Sequence, residues 1–306
     1  MRAQAIAGRR FEAVATDLGA GDRFDLKRPA PATGWRAHVR GVVAELQRAG
    51  VPIPAARIQI SGDLPRGAGL GSSAALQVAL CLALGALSAA PAPDAFELAK
   101  LCSKVEHEWV GARTGLLDQL AALCCERGHA LWIDFRSLQL RNVSLDLAGF
   151  NLVMIDSGER RANAVSGYNL RRAQCADACE RLGVASLRDA DLAMIAHLPS
   201  PMAERVRHFV TENARVEAVA ATLERGDLVA VGALLDASHA SLRDAYEVST
   251  PAVEATVERL KRAGAIGARI VGGGFGGSVL GLLPPGANAP KGATMVRPGP
   301  GARLIE

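Results

Sequence analysis

The glycine-rich run Pro65–Ala75 carries the residues of this sequence best suited to chemistry. It holds three glycines and two adjacent hydroxyls, Ser72 and Ser73, and the apolar stretch Leu76–Leu87 follows directly. Glycine allows positive φ and close approach of the backbone to a ligand. A glycine loop that opens a helix directs several N–H groups and the positive end of the helix dipole at one point, which suits a phosphate. A neighbouring hydroxyl could reach a Mg²⁺ ion carried by that phosphate.

The same run has a simpler interpretation as an ordinary loop followed by a serine helix cap. It lacks the Gly-Lys-Ser/Thr of a Walker A loop. No acidic residue follows at the distance that a dinucleotide-binding fingerprint requires. Phosphate binding and a plain helix cap therefore stay open on the glycines alone.

Two carboxylates that follow this run could take part in catalysis. Asp118 lies at the start of an apolar segment, where it is either a helix-dipole partner or a base that deprotonates an alcohol in a dry cleft. Glu106 lies near the end of a predicted helix, where a carboxylate is unfavourable for the helix dipole. That mismatch indicates a cation nearby, although a solvated glutamate is the simpler interpretation.

Two further segments could contact a ligand. A basic cluster surrounds Tyr168, and its arginines form either a solvated helix face or a contact with phosphate or sugar: Arg160, Arg161, Arg171 and Arg172. The segment Gly272–Gly277 holds five glycines in six positions between two apolar runs. Because each glycine costs backbone entropy, this density indicates close approach of the backbone to a ligand or to another backbone.

Composition describes a globular protein. The 306 residues are 49% hydrophobic and 22% charged, and 35 basic against 31 acidic residues give a net charge of +4. This mild charge, with 4% aromatic residues, argues against a nucleic-acid partner. The six cysteines form no Cys-x-x-Cys pair, and the start has no apolar signal region, so we expect reduced thiols in a cytoplasmic protein without a membrane partner.

Hydrophobic periodicity predicts an α+β fold with two lobes, because strands occur early and late and a helical block, Ser166–Leu260, lies between them. The predicted helices are Trp35–Ala49, Ala74–Leu87, Ala95–Glu108 and Leu116–Cys125, and Asp94 is the predicted cap of the third. The predicted strands are two within Phe11–Leu26, then Arg57–Ser61, Ala130–Asp134, Leu152–Asp156, Ala268–Val271, Val279–Leu283 and Ala293–Val296.

Three of these segments resemble the motifs of galactokinases, which share a superfamily with homoserine, mevalonate and phosphomevalonate kinases. Pro65–Ala74 resembles the second motif, Gly115–Gln119 the catalytic-aspartate segment and Gly272–Gly277 the third motif. Four more segments read like galactokinase sequence: Ala130–Leu138, Tyr168–Cys175, Arg207–Arg215 and Ser238–Asp244.

The resemblance implies a two-lobed sugar-kinase fold with the active site between the lobes. Residues 1–150 would form a mixed α/β nucleotide-binding lobe that lacks its first strands. Residues 151–306 would form a ferredoxin-like α+β lobe that carries the third motif. It also implies ATP-dependent phosphorylation of the anomeric hydroxyl of galactose, with Mg²⁺ as cofactor. We expect the protein to be a monomer.

The resemblance also implies roles for single residues. Asp118 matches the catalytic aspartate, and Ser72 and Glu106 match the residues that hold Mg²⁺. Trp35 matches an aromatic residue against the adenine, and Tyr168 and Gly115 match contacts to the sugar. The phosphate loop is matched by Gly67, Ala68, Gly69, Leu70, Gly71, Ser72 and Ser73.

One departure from the family stands out. Galactokinases begin with a first motif close to Gly-Arg-Val-Asn-Leu-Ile-Gly-Glu-His-Thr-Asp-Tyr, which supplies an arginine beside the catalytic aspartate and polar residues that hold the sugar. The 306 residues contain no such segment. Smaller departures are Ser278 where cysteine is usual, Gly167 where glutamate is usual and Arg161 where histidine is usual.

These observations leave three hypotheses. The first is a galactokinase-like sugar kinase whose N-terminal segment is absent, through a misplaced start or a truncated gene, with activity impaired if the loss is real. The second is a non-catalytic relative that binds nucleotide as a sensor or regulator. The third is a kinase for another alcohol, such as an amino sugar, because the missing motif carries much of the specificity.

Overall fold

The computed structural model describes residues 1–64, 70–88, 93–112, 114–159 and 164–305. Within these ranges the chain forms two four-stranded sheets, a two-stranded hairpin and eight α-helices. The predicted α+β architecture is confirmed. None of the helices in these ranges has the length and apolar character needed to cross a bilayer.

The first sheet has the strand order β1-β4-β2-β3. Its strands are β1 (Arg2–Ala5), β2 (Arg10–Ala15), β3 (Ala20–Asp25) and β4 (Ala56–Ile60). β2 and β4 run parallel, whereas β1 pairs antiparallel with β4 and β3 antiparallel with β2. The predicted pair of strands within Phe11–Leu26 is confirmed as β2 and β3.

Four helices accompany this sheet: α1 (Trp35–Arg48), α2 (Ser72–Ser88), α3 (Ala95–Val105) and α4 (Leu117–Cys124). The apolar residues whose spacing predicts α1 are fully buried in the core, as a helix with one apolar face requires: Val39, Val42, Val43 and Leu46. Asp94 caps α3 by accepting a hydrogen bond from the Glu97 N–H at 2.9 Å.

The start of α2 differs from the predicted serine cap. The helix begins at Ser72, and the carbonyl of Gly71 accepts the first helical hydrogen bond, from the Ala75 N–H at 2.9 Å. Gly71 therefore occupies the cap position. Its φ of 64° lies in the left-handed region, which glycine adopts without steric strain because it has no side chain. Ser72 and Ser73 lie in the first turn of the helix.

A hairpin of β5 (His129–Asp134) and β6 (Gln139–Ser144) follows α4. The sequence analysis predicts β5 but misses β6, because only Leu140 and Val143 in that strand are apolar and the alternation is weak. Pairing with β5, rather than its own composition, makes this segment a strand.

The second sheet is antiparallel throughout, in the order β10-β7-β9-β8. Its strands are β7 (Asn151–Asp156), β8 (Gly267–Ile270), β9 (Ser278–Leu283) and β10 (Thr294–Val296). The helices of this half of the chain are α5 (Ala164–Leu182), α6 (Met202–Glu224), α7 (Leu228–Asp244) and α8 (Pro251–Arg262).

The C-terminal segment returns to the first half of the chain. The Gly301 N–H donates to the Cys125 carbonyl at 2.6 Å, and the Ala302 N–H donates to the Ala122 carbonyl at 2.7 Å. Gly301 and Ala302 therefore bind the C-terminal end of α4, although in sequence they come after the strands of the second sheet. A division of the chain into 1–150 and 151–306 remains a prediction.

Candidate functional site

The glycine-rich run and the predicted base meet in the structure. A Cβ atom built on Gly71 would lie 3.3 Å from Cγ and 3.4 Å from Oδ2 of Asp118. Asp118 is the second residue of α4 and is solvent-exposed. A glycine at position 71 therefore lets the loop backbone approach the carboxylate more closely than any other residue would allow.

Glu106 lies in a short π-helical turn, Glu106–Val110, that follows α3. Its side chain is almost fully buried, with 5% of the residue exposed. Its Oε2 atom accepts a hydrogen bond from the Thr114 hydroxyl and a second one from Gln119 Nε2 at 3.2 Å. π-Helical turns are rare and often mark functional sites.

Burial raises the pKa of the Glu106 carboxyl above its usual value, and the charge of Asp118 adds to this effect. The hydrogen bonds from Thr114 and Gln119 act in the opposite direction. A buried carboxylate beside a second carboxylate is a favourable place for a cation, because the cation offsets both the burial and the repulsion. The helix-dipole mismatch in the sequence indicated the same residue.

Gln119 connects the two carboxylates, since it follows Asp118 in α4 and donates to Glu106. It is 1% exposed, and its Oε1 atom has no hydrogen-bond partner within the part of the chain that the structure describes. A buried acceptor without a partner is unfavourable and points to a binding partner outside the described residues. Gln119 is part of the motif Gly115–Gln119, but nothing in the sequence predicts its hydrogen bond to Glu106.

The remaining residues of the predicted phosphate loop are placed in part. Gly67, Ala68 and Gly69 lie outside the described residues. Leu70 and Ser72 are half-buried beside Gly71, at the positive end of the α2 dipole. Across the ranges that the structure describes, no cluster of three or more His, Cys, Asp or Glu side chains could hold a metal ion.

Trp35 and Gly115 lie at or near the N-terminal ends of helices α1 and α4. Trp35 is the first residue of α1; it is half-buried against the apolar core, and the Arg36 guanidinium lies 5.1 Å from its ring centroid. Gly115 is exposed in the connection between the π-helical turn and α4, and a Cβ atom there would meet nothing within 4 Å. Their predicted contacts to adenine and sugar remain predictions.

The glycine-rich loop Gly272–Gly277 needs its glycines for two reasons. Its backbone has positive φ at Gly272, Gly274, Phe275, Gly276 and Gly277. A Cβ atom on Gly274 would lie 2.7 Å from the Val248 carbonyl, and one on Gly276 would lie 2.7 Å from the Glu159 carbonyl. The predicted close approach to another backbone is confirmed for these two positions.

Tyr168 packs on this loop. A Cβ atom built on Gly273 would lie 3.3 Å from Cδ2 of the Tyr168 ring, and 36% of the tyrosine remains exposed. The structure thus brings the predicted sugar contact, Tyr168, together with the glycine-rich loop Gly272–Gly277.

Arg171 fits neither interpretation of the basic cluster, whereas Arg172 is exposed on α5, as a solvated helix face requires. Arg171 is 8% exposed, and its guanidinium donates to the carbonyls of Tyr246 at 2.6 Å and Glu247 at 3.0 Å. Arg205, also buried, donates to the Ala245 carbonyl and to the Glu247 carboxylate. The two guanidinium groups hold the segment after α7, so Arg171 is neither solvated nor a ligand contact. Arg160 and Arg161 lie outside the described residues.

Comparison with known proteins places this fold and site in a class. The sequence matches the GHMP kinases N terminal domain over residues 37–126 and the GHMP kinases C terminal domain over residues 219–297. The protein therefore belongs to the GHMP kinases.

Within that class the chain belongs to the galactokinase family. It is 43% identical to a galactokinase of Streptomyces coelicolor over 263 residues, which are 83% of this chain and 68% of that protein. It is also 43% identical to a galactokinase of Mycobacterium tuberculosis, over 84% of this chain and 72% of the relative. The crystal structure of Lactococcus lactis galactokinase complexed with galactose superposes with a TM-score of 0.84 at 30% identity, covering 92% of this chain and 76% of that one.

Proposed function

We propose that this protein transfers the γ-phosphoryl group of ATP to the anomeric hydroxyl of galactose, which yields galactose 1-phosphate and ADP. The observation that carries the proposal is the proximity of Gly71 to Asp118, because it brings the predicted phosphate loop beside the predicted base. The galactokinases at 43% identity, and the Lactococcus lactis galactokinase crystallised with galactose, support the same activity.

The nucleotide phosphates would bind at the start of α2. There the N–H groups of the first turn have no partners within the helix, and the helix dipole is positive. Ser72 and Ser73 would add hydroxyl donors, and Gly71 would keep the backbone close to the phosphates. Trp35 would lie against the adenine ring.

Ser72 and Glu106 would hold Mg²⁺. The fit rests on the oxygen donors of these residues, on the burial of Glu106 beside a second carboxylate, and on the unpartnered Oε1 atom of Gln119. Mg²⁺ takes oxygen ligands, commonly one or two carboxylates, substrate phosphates and several waters. When bound, the ion would supply positive charge against the β- and γ-phosphates.

Asp118 would orient the anomeric hydroxyl and accept its proton. As the sugar oxygen forms its bond to the γ-phosphorus, the bond from that phosphorus to the bridging oxygen breaks, and ADP leaves with the electron pair. Phosphoryl transfer asks a protein mainly for positioning and charge neutralisation. Tyr168 and Gly115 would contribute the positioning by contacting the sugar.

Analysis of the product tests this proposal. The purified chain is incubated with Mg-ATP and a panel of sugars that includes galactose, glucose and galactosamine, and the products are assigned by ³¹P NMR. We expect a phosphate coupled to the anomeric proton, formed fastest from galactose. A phosphate on the primary hydroxyl would contradict the proposal, as would a clear preference for an amino sugar.

We further propose that the protein works as a cytoplasmic monomer. Size-exclusion chromatography with light scattering tests the oligomeric state, and a stable dimer would contradict this part of the proposal. Fractionation of the source cells tests the compartment.

A further inference from the structure

The first turn of α5 packs against the glycine-rich loop Gly272–Gly277 through two aromatic rings, those of Tyr168 and Phe275. A Cβ atom built on Gly167 would lie 2.6 Å from Cζ, 2.7 Å from Cε1 and 2.9 Å from Cε2 of the Phe275 ring. The Tyr168 ring in turn occupies the space in front of Gly273. Each ring therefore fills the volume that a side chain on the opposite glycine would need, as close packing of a protein interior requires.

The Phe275 ring is held in place by its surroundings. The residue has a φ of 59°, and its N–H donates to the Val248 carbonyl at 2.7 Å. The Arg171 guanidinium lies 5.9 Å from the ring centroid, within the range of a cation–π interaction. The same guanidinium binds the carbonyls of Tyr246 and Glu247, just before Val248. A side chain at position 167 of this chain would therefore press on the Phe275 ring, and either the ring or the start of α5 must move to make room for it.

We propose that Gly167 and Phe275 form a positioning pair that sets the Tyr168 ring and thereby the affinity for the sugar. The inference rests on the proposed function, in which Tyr168 contacts galactose. Tyr168 directly follows Gly167, so a shift of the helix at Gly167 moves the tyrosine ring away from Gly273. The exposed part of Tyr168 is the part that a sugar can reach.

Steady-state kinetics of a Gly167→Ala variant tests the pair in the full chain. Alanine is a better helix former than glycine, so a defect would not come from a weaker helix. We expect the KM for galactose to rise about tenfold while the KM for ATP stays within about twofold, since only the sugar contact is displaced. Gly85→Ala in α2 is the matched control, because a Cβ atom there meets nothing within 4 Å.

A second substitution tests the steric mechanism. Leucine at position 275 lacks the Cζ and Cε atoms that a Cβ atom on Gly167 would meet, so Phe275→Leu makes room for alanine. We expect the double variant Gly167→Ala/Phe275→Leu to recover a KM for galactose within about threefold of Phe275→Leu alone, which is strong coupling in a double-mutant cycle. If Gly167→Ala alone does not fold, the double variant must fold.

Three results would overturn the inference while leaving the proposed function intact. They are an unchanged KM for galactose in Gly167→Ala, an equal rise in the KM for both substrates, and purely additive effects in the double variant. A double variant that fails to fold like the single one would also overturn it. Failure of the wild-type chain to phosphorylate galactose would instead overturn the proposed function, and this is seen before any variant is compared.

Discussion

Gly71 and Asp118 are neighbours in space although 46 residues separate them in the sequence, since a Cβ atom built on Gly71 would be 3.3 Å from the carboxyl carbon of Asp118. This proximity brings the cap of α2 to the first turn of α4. The carboxylate on which the proposed chemistry depends is thus positioned by the backbone of the loop that would hold the phosphates.

Substitution of Gly71 by alanine should impair catalysis more than binding. The added methyl group presses on Asp118, and the backbone φ of 64° is unfavourable for alanine. We expect kcat to fall about tenfold or more through misplacement of the carboxylate. We also expect a loss of roughly 1 kcal/mol in the free energy of unfolding. Kinetics and chemical denaturation measure the two effects.

Gly62→Ala is the matched control on the same connection, because a Cβ atom there meets nothing within 4 Å. It should leave kcat and stability close to those of the unmodified chain. Equal losses of kcat and stability in the two variants would show that any substitution in the connection between β4 and α2 is harmful. The proximity of Gly71 to Asp118 would then not be the cause.

Glu106→Gln should abolish stabilisation by Mg-nucleotide without harming the unliganded fold. Because the folded-state pKa of Glu106 is raised, its contribution to stability is present below the unfolded-state pKa and is lost as the pH rises through the folded value. The ionised side chain is therefore unfavourable at neutral pH, and glutamine removes that cost. Thermal melts with and without Mg-ATP measure both effects.

Glu108→Gln is the control for this variant, since the Glu108 side chain is 50% exposed in the same π-helical turn. It should keep the full melting shift with Mg-ATP. A Glu106→Gln variant that also keeps the full shift would remove Glu106 from the cation site.

Gln119→Leu tests the link between Glu106 and Asp118. The variant loses the hydrogen bond from Nε2 to Glu106 and also the unpartnered buried Oε1 atom. We expect a weaker apparent affinity for Mg²⁺, by about tenfold, because a group that orients a metal ligand typically contributes that much. Titration of Mg²⁺ against nucleotide binding measures it, and an unchanged titration would show that Gln119 has a packing role only.

Mild acid should destabilise the protein through His208. Burial lowers the pKa of this histidine to about 4; its Nδ1 atom lies 2.9 Å from the Ser241 hydroxyl. The unfolded chain binds the proton near its ordinary pKa, so stability is present above about pH 6.5 and is lost as the pH falls towards 4. The loss should reach about 2 kcal/mol by pH 5.

Denaturation of the wild type and His208→Gln between pH 7 and 5 checks this. The variant should show a smaller loss of stability over that interval. Burial also lowers the pKa values of His38 and His239, so part of the pH dependence should persist. Parallel curves for the two proteins would mean that His208 does not titrate as described.

Gly267→Ala should destabilise the second sheet. A Cβ atom on Gly267 would lie 2.6 Å from the Gly232 Cα atom, where α7 crosses β8. We expect a loss of about 2–3 kcal/mol from overpacking. Gly299→Ala, where a Cβ atom meets nothing within 4 Å, should be neutral. Equal stability of the two variants would contradict the close packing of α7 on β8.

Local patterns in the sequence predict much of the fold. The spacing of Val39, Val42, Val43 and Leu46 predicts α1, and Asp94 predicts the start of α3, because both signals lie within a few residues. β1 escapes prediction because its residues are poor strand formers that pair with β4 through their backbone. This strand forms because it pairs with β4, which lies more than 50 residues later in the sequence.

The candidate site also contains residues that local sequence patterns indicate and contacts that they do not. Asp118, Ser72 and Glu106 can be proposed from the sequence because their residue types suit the chemistry and their motifs are local. The burial of Arg171 and the partnership of Gln119 with Glu106 depend on contacts that only the folded chain makes. Arginine is mostly exposed in proteins, so its sequence environment predicts a solvated face.

The most direct test of this account is ADP release by the purified 306-residue chain with Mg-ATP, measured with and without galactose beside an Asp118→Asn variant. The account predicts release that depends on galactose and falls by about a hundredfold or more in the variant, as expected for loss of a catalytic base. A chain that melts cooperatively and is stabilised by Mg-ATP, yet releases no ADP in response to galactose, would contradict it. That result would favour a nucleotide-binding regulator without catalysis.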